Sequence, residues 1–161
     1  MSAGQDSDAL VNSSLDGLAP AFADAIMAAL AECATAGLDA IVYESLRSDE
    51  LQRIYYARGR TVVPPHDTVT NAPSAQYGWH FFGLAVDVIS ASKRWDAGDA
   101  WNLKVGAIMR SHGLKCGQDW AHPDIPHYQF GKCTISPTNE TRALYAQGGN
   151  PAVWAALGAS I

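Results

Sequence analysis

The stretch Leu84-Ala85-Val86-Asp87-Val88-Ile89 constrains the fold of this chain more than any other. As an extended strand it is apolar on both faces but for one carboxylate. Leu84, Val86 and Val88 point one way; Ala85, Asp87 and Ile89 point the other. A strand of this kind belongs inside a core. An unpaired charge buried there costs on the order of several kcal/mol, so Asp87 needs a cation or several hydrogen bonds. An arginine partner or a helix N-terminus would serve, and so would a metal ion. Gly83 permits a turn that presents His80 just before the strand begins.

A second segment, Asp124-Ile125-Pro126-His127-Tyr128-Gln129-Phe130, repeats the theme forty residues on. Pro126 holds Ile125 extended, so Asp124 and His127 lie on a rigid, non-helical piece of chain. His127 and Gln129 share one face of a short strand, with Tyr128 and Phe130 on the other. Two histidines and one aspartate around zinc, with a fourth position left for water, is an arrangement that hydrolyses amides. Asp124 is placed to serve a water as a base without being a ligand, although an ordinary turn beside Pro123 would also account for it. Arg47 leaves the end of a strand at Leu46-Arg47-Ser48, where it could grip a carboxylate or form a plain ion pair. Of the remaining histidines, His112 reads as a helix-end partner, His66 falls in a long loop, and His122 is a second choice as ligand.

Around these segments the pattern is one of helices flanking short strands. Pro20 opens a helix that carries Phe22, Ile26, Leu30 and Cys33 at helical spacing and stops at Gly37. Ile41-Val42-Tyr43 is a short strand, and Ser48-Asp49 caps a second helix bearing Leu51, Ile54 and Tyr55. Residues 61 to 79 form a long loop. Asp99 begins a third helix, with Trp101, Val105, Ile108 and Met109 inward and Gly113 as its stop. Strands at 114–116 and 127–130 follow, then helices from Ser136-Pro137 through Tyr145 and from Asn150-Pro151 onward. Strand and helix do not alternate regularly, so the expected class is α+β with a small, mostly antiparallel sheet. Residues 1–18 are a loose lead-in and 19–161 a single domain.

Composition excludes several classes. With 48% hydrophobic and 17% charged residues among 161, the chain is globular. A net charge of -5 and the lack of a Lys/Arg cluster argue against nucleic acid as a partner. Cys33, Cys116 and Cys133 have no metal-type spacing and read as core thiols. The start Met1 to Asp8 lacks a basic, then apolar, run, and no window approaches 18 consecutive apolar residues. The expectation is a monomer made in the cytoplasm without stable membrane association. A wall substrate would then be reached only after another protein opens the membrane.

From about Tyr43 to Phe130 the chain resembles the zinc D-Ala-D-Ala carboxypeptidases and L-alanyl-D-glutamate endopeptidases that cut peptidoglycan stem peptides. The resemblance rests on Arg47-Ser48 with Gln52, Tyr56 to Thr61, Thr70-Asn71-Ala72, Trp79-His80 through Asp87, Trp120, and Asp124 through Gln129. It implies His80, Asp87 and His127 as zinc ligands, Asp124 as catalytic base and Arg47 as an aid to substrate or polarised carbonyl. The Asp-x-Pro-His form is similar to the endopeptidase branch found in bacteriophage lysis enzymes. It implies an endolysin acting on the wall of the host in which it is made. A D-Ala-D-Ala carboxypeptidase, or a wall-binding module without turnover, would be the alternatives. Gly78 stands where the family usually carries serine, two residues before the first ligand.

Overall fold

A computed structural model describes residues 8–58, 60, 61 and 68–161; His66 lies outside them. Among the described residues, four α-helices accompany one four-stranded sheet: α1 (Pro20–Thr35), β1 (Ala40–Glu44), α2 (Asp49–Ala57), β2 (Ala85–Ser90), α3 (Asp99–Ser111), β3 (Lys115–Cys116), β4 (His127–Gln129) and α4 (Asn139–Leu157). Strand order is β1-β2-β4-β3, and every pairing is antiparallel. The expected α+β class with a small antiparallel sheet is what the chain adopts.

β2 is a central strand, buried along its length except at Asp87. Its inner face joins Phe22, Ile26 and Cys33 of α1 and Val105 and Met109 of α3 in one core. These are the positions that the helical spacing placed inward. The three thiols are free and buried, as core cysteines should be. No helix among the described residues is long and apolar enough to cross a membrane.

One local feature departs from expectation and another matches it. Of the lead-in anticipated over residues 1–18, the segment from Asn12 to Leu18 is docked. Ser45 donates its main-chain N–H to the Asn12 carbonyl and its hydroxyl to those of Asn12 and Ser14, and Leu18 is buried. Leu15 and Leu18 supply the apolar anchors in a segment that is otherwise polar. The two helices anticipated from Ser136 and Asn150 are both present within α4, which is broken by the non-helical Gly149 (φ 68°) two residues before Pro151. Its start is set by Thr138 and Thr141, which cap one another's main-chain N–H groups.

Gly83 holds the approach to β2. Its φ is +68°, and a Cβ there would stand 2.6 Å from the Gly17 carbonyl oxygen. Only glycine fits both the left-handed turn and the close approach, which lets residues 79–84 fold tightly and deliver His80 beside the strand.

Candidate metal centre and active site

Three side chains converge beside the two central strands of the sheet. His80 comes from the turn before β2, Asp87 from its middle and His127 from the start of β4, where Asp87 and His127 are register partners. Asp87 Oδ1 lies 3.4 Å from His80 Nε2 and 3.6 Å from His127 Nδ1. One donor atom from each residue fits within 4.8 Å of the others, the single such group among the described residues. Donors about 2.0–2.1 Å from a tetrahedral zinc stand about 3.3 Å apart, so the spacing suits that ion.

Hydrogen bonds around the rings leave the right atoms free. His80 Nδ1 lies 2.9 Å from the Ser45 carbonyl, which can only accept, so the proton sits on Nδ1 and Nε2 keeps its lone pair. His127 Nε2 lies 2.9 Å from Gln129 Oε1. The Gln129 amide is fixed in turn, because its Nε2 donates to the Thr134 carbonyl at 2.8 Å. His127 therefore donates from Nε2 and offers Nδ1. Such outer partners set the tautomer and aim of metal-binding histidines. The support of His80 is a main-chain carbonyl, so the hydroxyl missing at Gly78 is not its partner.

Electrostatics follow the same arrangement. Burial pushes the Asp87 carboxyl up, but the positive charge and hydrogen bonds that His80 and His127 direct at it when their rings are fully protonated, in the place a metal cation would take, outweigh burial and hold the group well below the ordinary range. His127 is raised: burial works against its charged form, and Asp87 more than offsets this. Asp124, half-exposed on the loop before β4, has Oδ2 3.9 Å from His127 Nδ1. Its pKa is raised, first by partial burial and then by the nearby Asp87 charge. A carboxylate displaced upward beside a three-donor cluster has the profile of a general base.

Arg47 is almost buried and fully engaged. Its Nε donates to Glu44, Nη1 donates to Gln52 Oε1 at 3.0 Å, and Nη2 lies 3.5 Å from Asp87 Oδ2. Burial disfavours its charge, yet Glu44 and Asp87 raise its pKa. Gln52 is anchored by donating to the Ala72 carbonyl at 2.8 Å, and Tyr55 donates its hydroxyl to Glu44 Oε2 at 3.1 Å. The guanidinium thus braces Asp87 from behind.

Sequence reasoning missed Glu44 and the Ser45 carbonyl. The three-residue spacing of Glu44 and Arg47 at a strand end was the available signal for the first; a main-chain acceptor leaves none. His122 is exposed and stands outside the three-donor group. His112 ties the end of α3 to α1 through Glu32, with Nε2 2.7 Å from Oε2.

His80, Asp87, His127, Asp124 and Arg47 line a cavity of about 550 Å³, whose walls include Tyr43, Trp95, Tyr77, Trp120 and Ile135. The Trp120 ring rests 5.0 Å from that of His127. Comparison with known proteins agrees with this geometry. The solved structure of the L-Ala D-Glu endopeptidase ChiX of Serratia marcescens superposes with a TM-score of 0.54 at 24% identity, over 76% of this chain and 87% of that one; the likeness is one of fold. A family model described as D-alanyl-D-alanine carboxypeptidase matches residues 72–130, the segment that holds His80, Asp87, Asp124 and His127. Through that segment the chain is similar to the D-alanyl-D-alanine carboxypeptidase family of peptidases.

Proposed function

We propose that the protein is a zinc-dependent peptidoglycan peptidase that cleaves the L-alanyl-D-glutamate bond of the stem peptide. The observation that carries this reading is the meeting of three correctly protonated donors, at 3.4 and 3.6 Å, on the floor of a cavity that also holds Asp124. A zinc ion held by His80, Asp87 and His127 would supply Lewis acidity, polarising the scissile carbonyl and lowering the pKa of a water toward roughly 7. Asp124 takes the proton of the attacking water at a carboxylate oxygen and returns it to the leaving amine nitrogen. Arg47 holds Asp87 in place and adds positive potential behind the developing oxyanion.

Endopeptidase action fits Arg47 better than release of a terminal residue. A carboxypeptidase needs a cation for the terminal carboxylate of its substrate, and Arg47 is already balanced by Glu44 and Asp87. The endopeptidase named among similar structures supports the same bond. The role of bacteriophage endolysin, made in the host cytoplasm and acting on the wall once the membrane is opened, rests on the Asp124-Ile125-Pro126-His127 form. A pure wall-binding module would have no use for a carboxylate poised like Asp124.

The test is digestion of purified peptidoglycan by the zinc-loaded protein, with and without chelator, read by mass spectrometry of the products. Fragments ending in a new L-Ala carboxylate, lost on chelation, are the expected result. Release of D-Ala alone would assign the carboxypeptidase reaction, and bound zinc without any cleavage would leave a binding module.

A further inference from the structure

One wall of the cavity has a construction that the peptidase chemistry does not use. β1 bulges between Val42 and Glu44, since Val42 pairs with Val88 while Glu44 pairs with Asp87. Tyr43 is the extra residue. Bulges at sheet edges turn a side chain out of the alternating pattern, and here Tyr43 lines the cavity while Glu44 keeps its place opposite Asp87. Trp95 packs edge-on against it, with ring centroids 4.7 Å apart and planes at 71°. The indole also lines the cavity, yet is 53% exposed.

The turn that carries Trp95 is locked. The Asp39 carboxylate accepts the Ser90 hydroxyl at 2.9 Å, the Ser92 N–H at 2.8 Å and the Ser92 hydroxyl at 2.6 Å. Ser90 and Arg94 exchange main-chain hydrogen bonds across the turn. Arg94 has φ +56°, the one non-glycine in the left-handed region among the described residues. Strain held by a dense local network marks a position that must be kept. What it keeps is a half-exposed indole at the mouth of the site.

The geometry points to Trp95, backed by Tyr43, as a stacking platform for the saccharide ring to which the stem peptide is attached. The inference rests on the endopeptidase reading above. In peptidoglycan the L-Ala nitrogen is acylated by the lactyl group of a muramic acid. A bond cut after that L-Ala leaves the sugar about one residue spacing (~3.8 Å) and a lactyl bridge away. The ring must therefore rest on a wall of the same cavity. Trp120, the other large indole there, is committed to His127, whereas Trp95 keeps open surface. A pyranose offers an apolar C–H face and a polar rim, the complement of a rigid aromatic edge that stays partly wet.

The test compares zinc-loaded parent, Trp95→Ala and Trp95→Phe on two substrates, an N-acetylated stem peptide and the same peptide carrying N-acetylmuramic acid. The ratio of kcat/KM for the sugar-bearing to the bare peptide should fall about tenfold in Trp95→Ala through a raised KM, and recover in Trp95→Phe. An unchanged ratio would overturn the inference, as would a parent without preference. A parent inactive on both peptides would instead refute the peptidase reading. The platform is then judged by binding: N-acetylmuramoyl-L-alanine should shift the Trp95 indole N–H resonance and N-acetyl-L-alanine should not, equal effects or none counting against it.

Discussion

At the scale of single residues the site is a set of tautomers and one displaced carboxylate. Asp124→Ala removes no donor of the metal cluster, so the variant should retain zinc while hydrolysis falls by about 10²–10⁴-fold, the usual worth of a positioned base. Metal content and turnover measured on one preparation check this; cleavage at the parent rate would remove Asp124 from the mechanism. Gln129→Leu strikes the aim of His127 instead. With no acceptor at Nε2, the ring loses its preference for the tautomer that frees Nδ1, and zinc affinity should drop about 10–100-fold in a competition titration with a chelating dye. The meeting of Asp87 and His127 was legible in the sequence because both are unusual: a lone aspartate in an apolar strand, and a histidine stiffened by a preceding proline. The role of Gln129 was half visible, as a shared strand face. The Ser45 carbonyl was not, since a main-chain acceptor has no side-chain signature.

At the scale of elements, packing at a distance sets where these residues stand. Gly117 lies under the loop that carries Asp124 and His127. A Cβ there would fall 2.3 Å from the Asp124 carbonyl oxygen and 3.1 Å from the β-carbons of both residues. Gly117→Ala must push that loop away, at a cost of about 1–3 kcal/mol. A displacement near 1 Å at the reacting groups costs about 10²-fold in rate, so activity should fall far more than melting temperature; equal activity would show that the loop yields freely. The turn at 90–95 gives a pH-dependent counterpart. Hydrogen bonds from Ser92, then Ser90, bring the Asp39 carboxyl down to about 2. A depressed folded-state value stabilises the fold above the unfolded carboxylate pKa, about 3.9, and that contribution fades as pH falls toward 2. Asp39→Asn should therefore melt below the parent at neutral pH, with the gap closing between about pH 4 and 2 in a thermal-melt series; a constant gap would deny the carboxylate this part. Helices and strands themselves were legible from apolar spacing and from Pro20, Ser48 and Gly113. The break between the two C-terminal helices was legible too, from Asn150-Pro151, but the bulge at Tyr43 was not, because it depends on the distant partner strand β2.

At the scale of the whole molecule, the three-donor group joins the two strands at the middle of the sheet. β2 and β4 share three register pairs, with one main-chain hydrogen bond beyond each end, from Val88 to Pro126 and from Phe130 to Leu84, and β4 is three residues long. A ligand that binds the folded chain alone stabilises it by RT ln(1 + [L]/Kd), about 4 kcal/mol at a thousandfold excess over Kd. For a domain of this size each kcal/mol moves Tm by about 2–4 °C. Zinc should therefore raise the melting temperature of the parent by roughly 8–16 °C at that excess, and a chelator should reverse the gain. Asp87→Ala removes the donor that faces both histidines and should lose the zinc-dependent part of the shift. Asp124→Ala should keep it, because that carboxylate lies outside the cluster. The two variants thus separate holding the ion from using it. A zinc-induced shift of equal size in parent and Asp87→Ala would place the ion elsewhere and take the proposed chemistry with it.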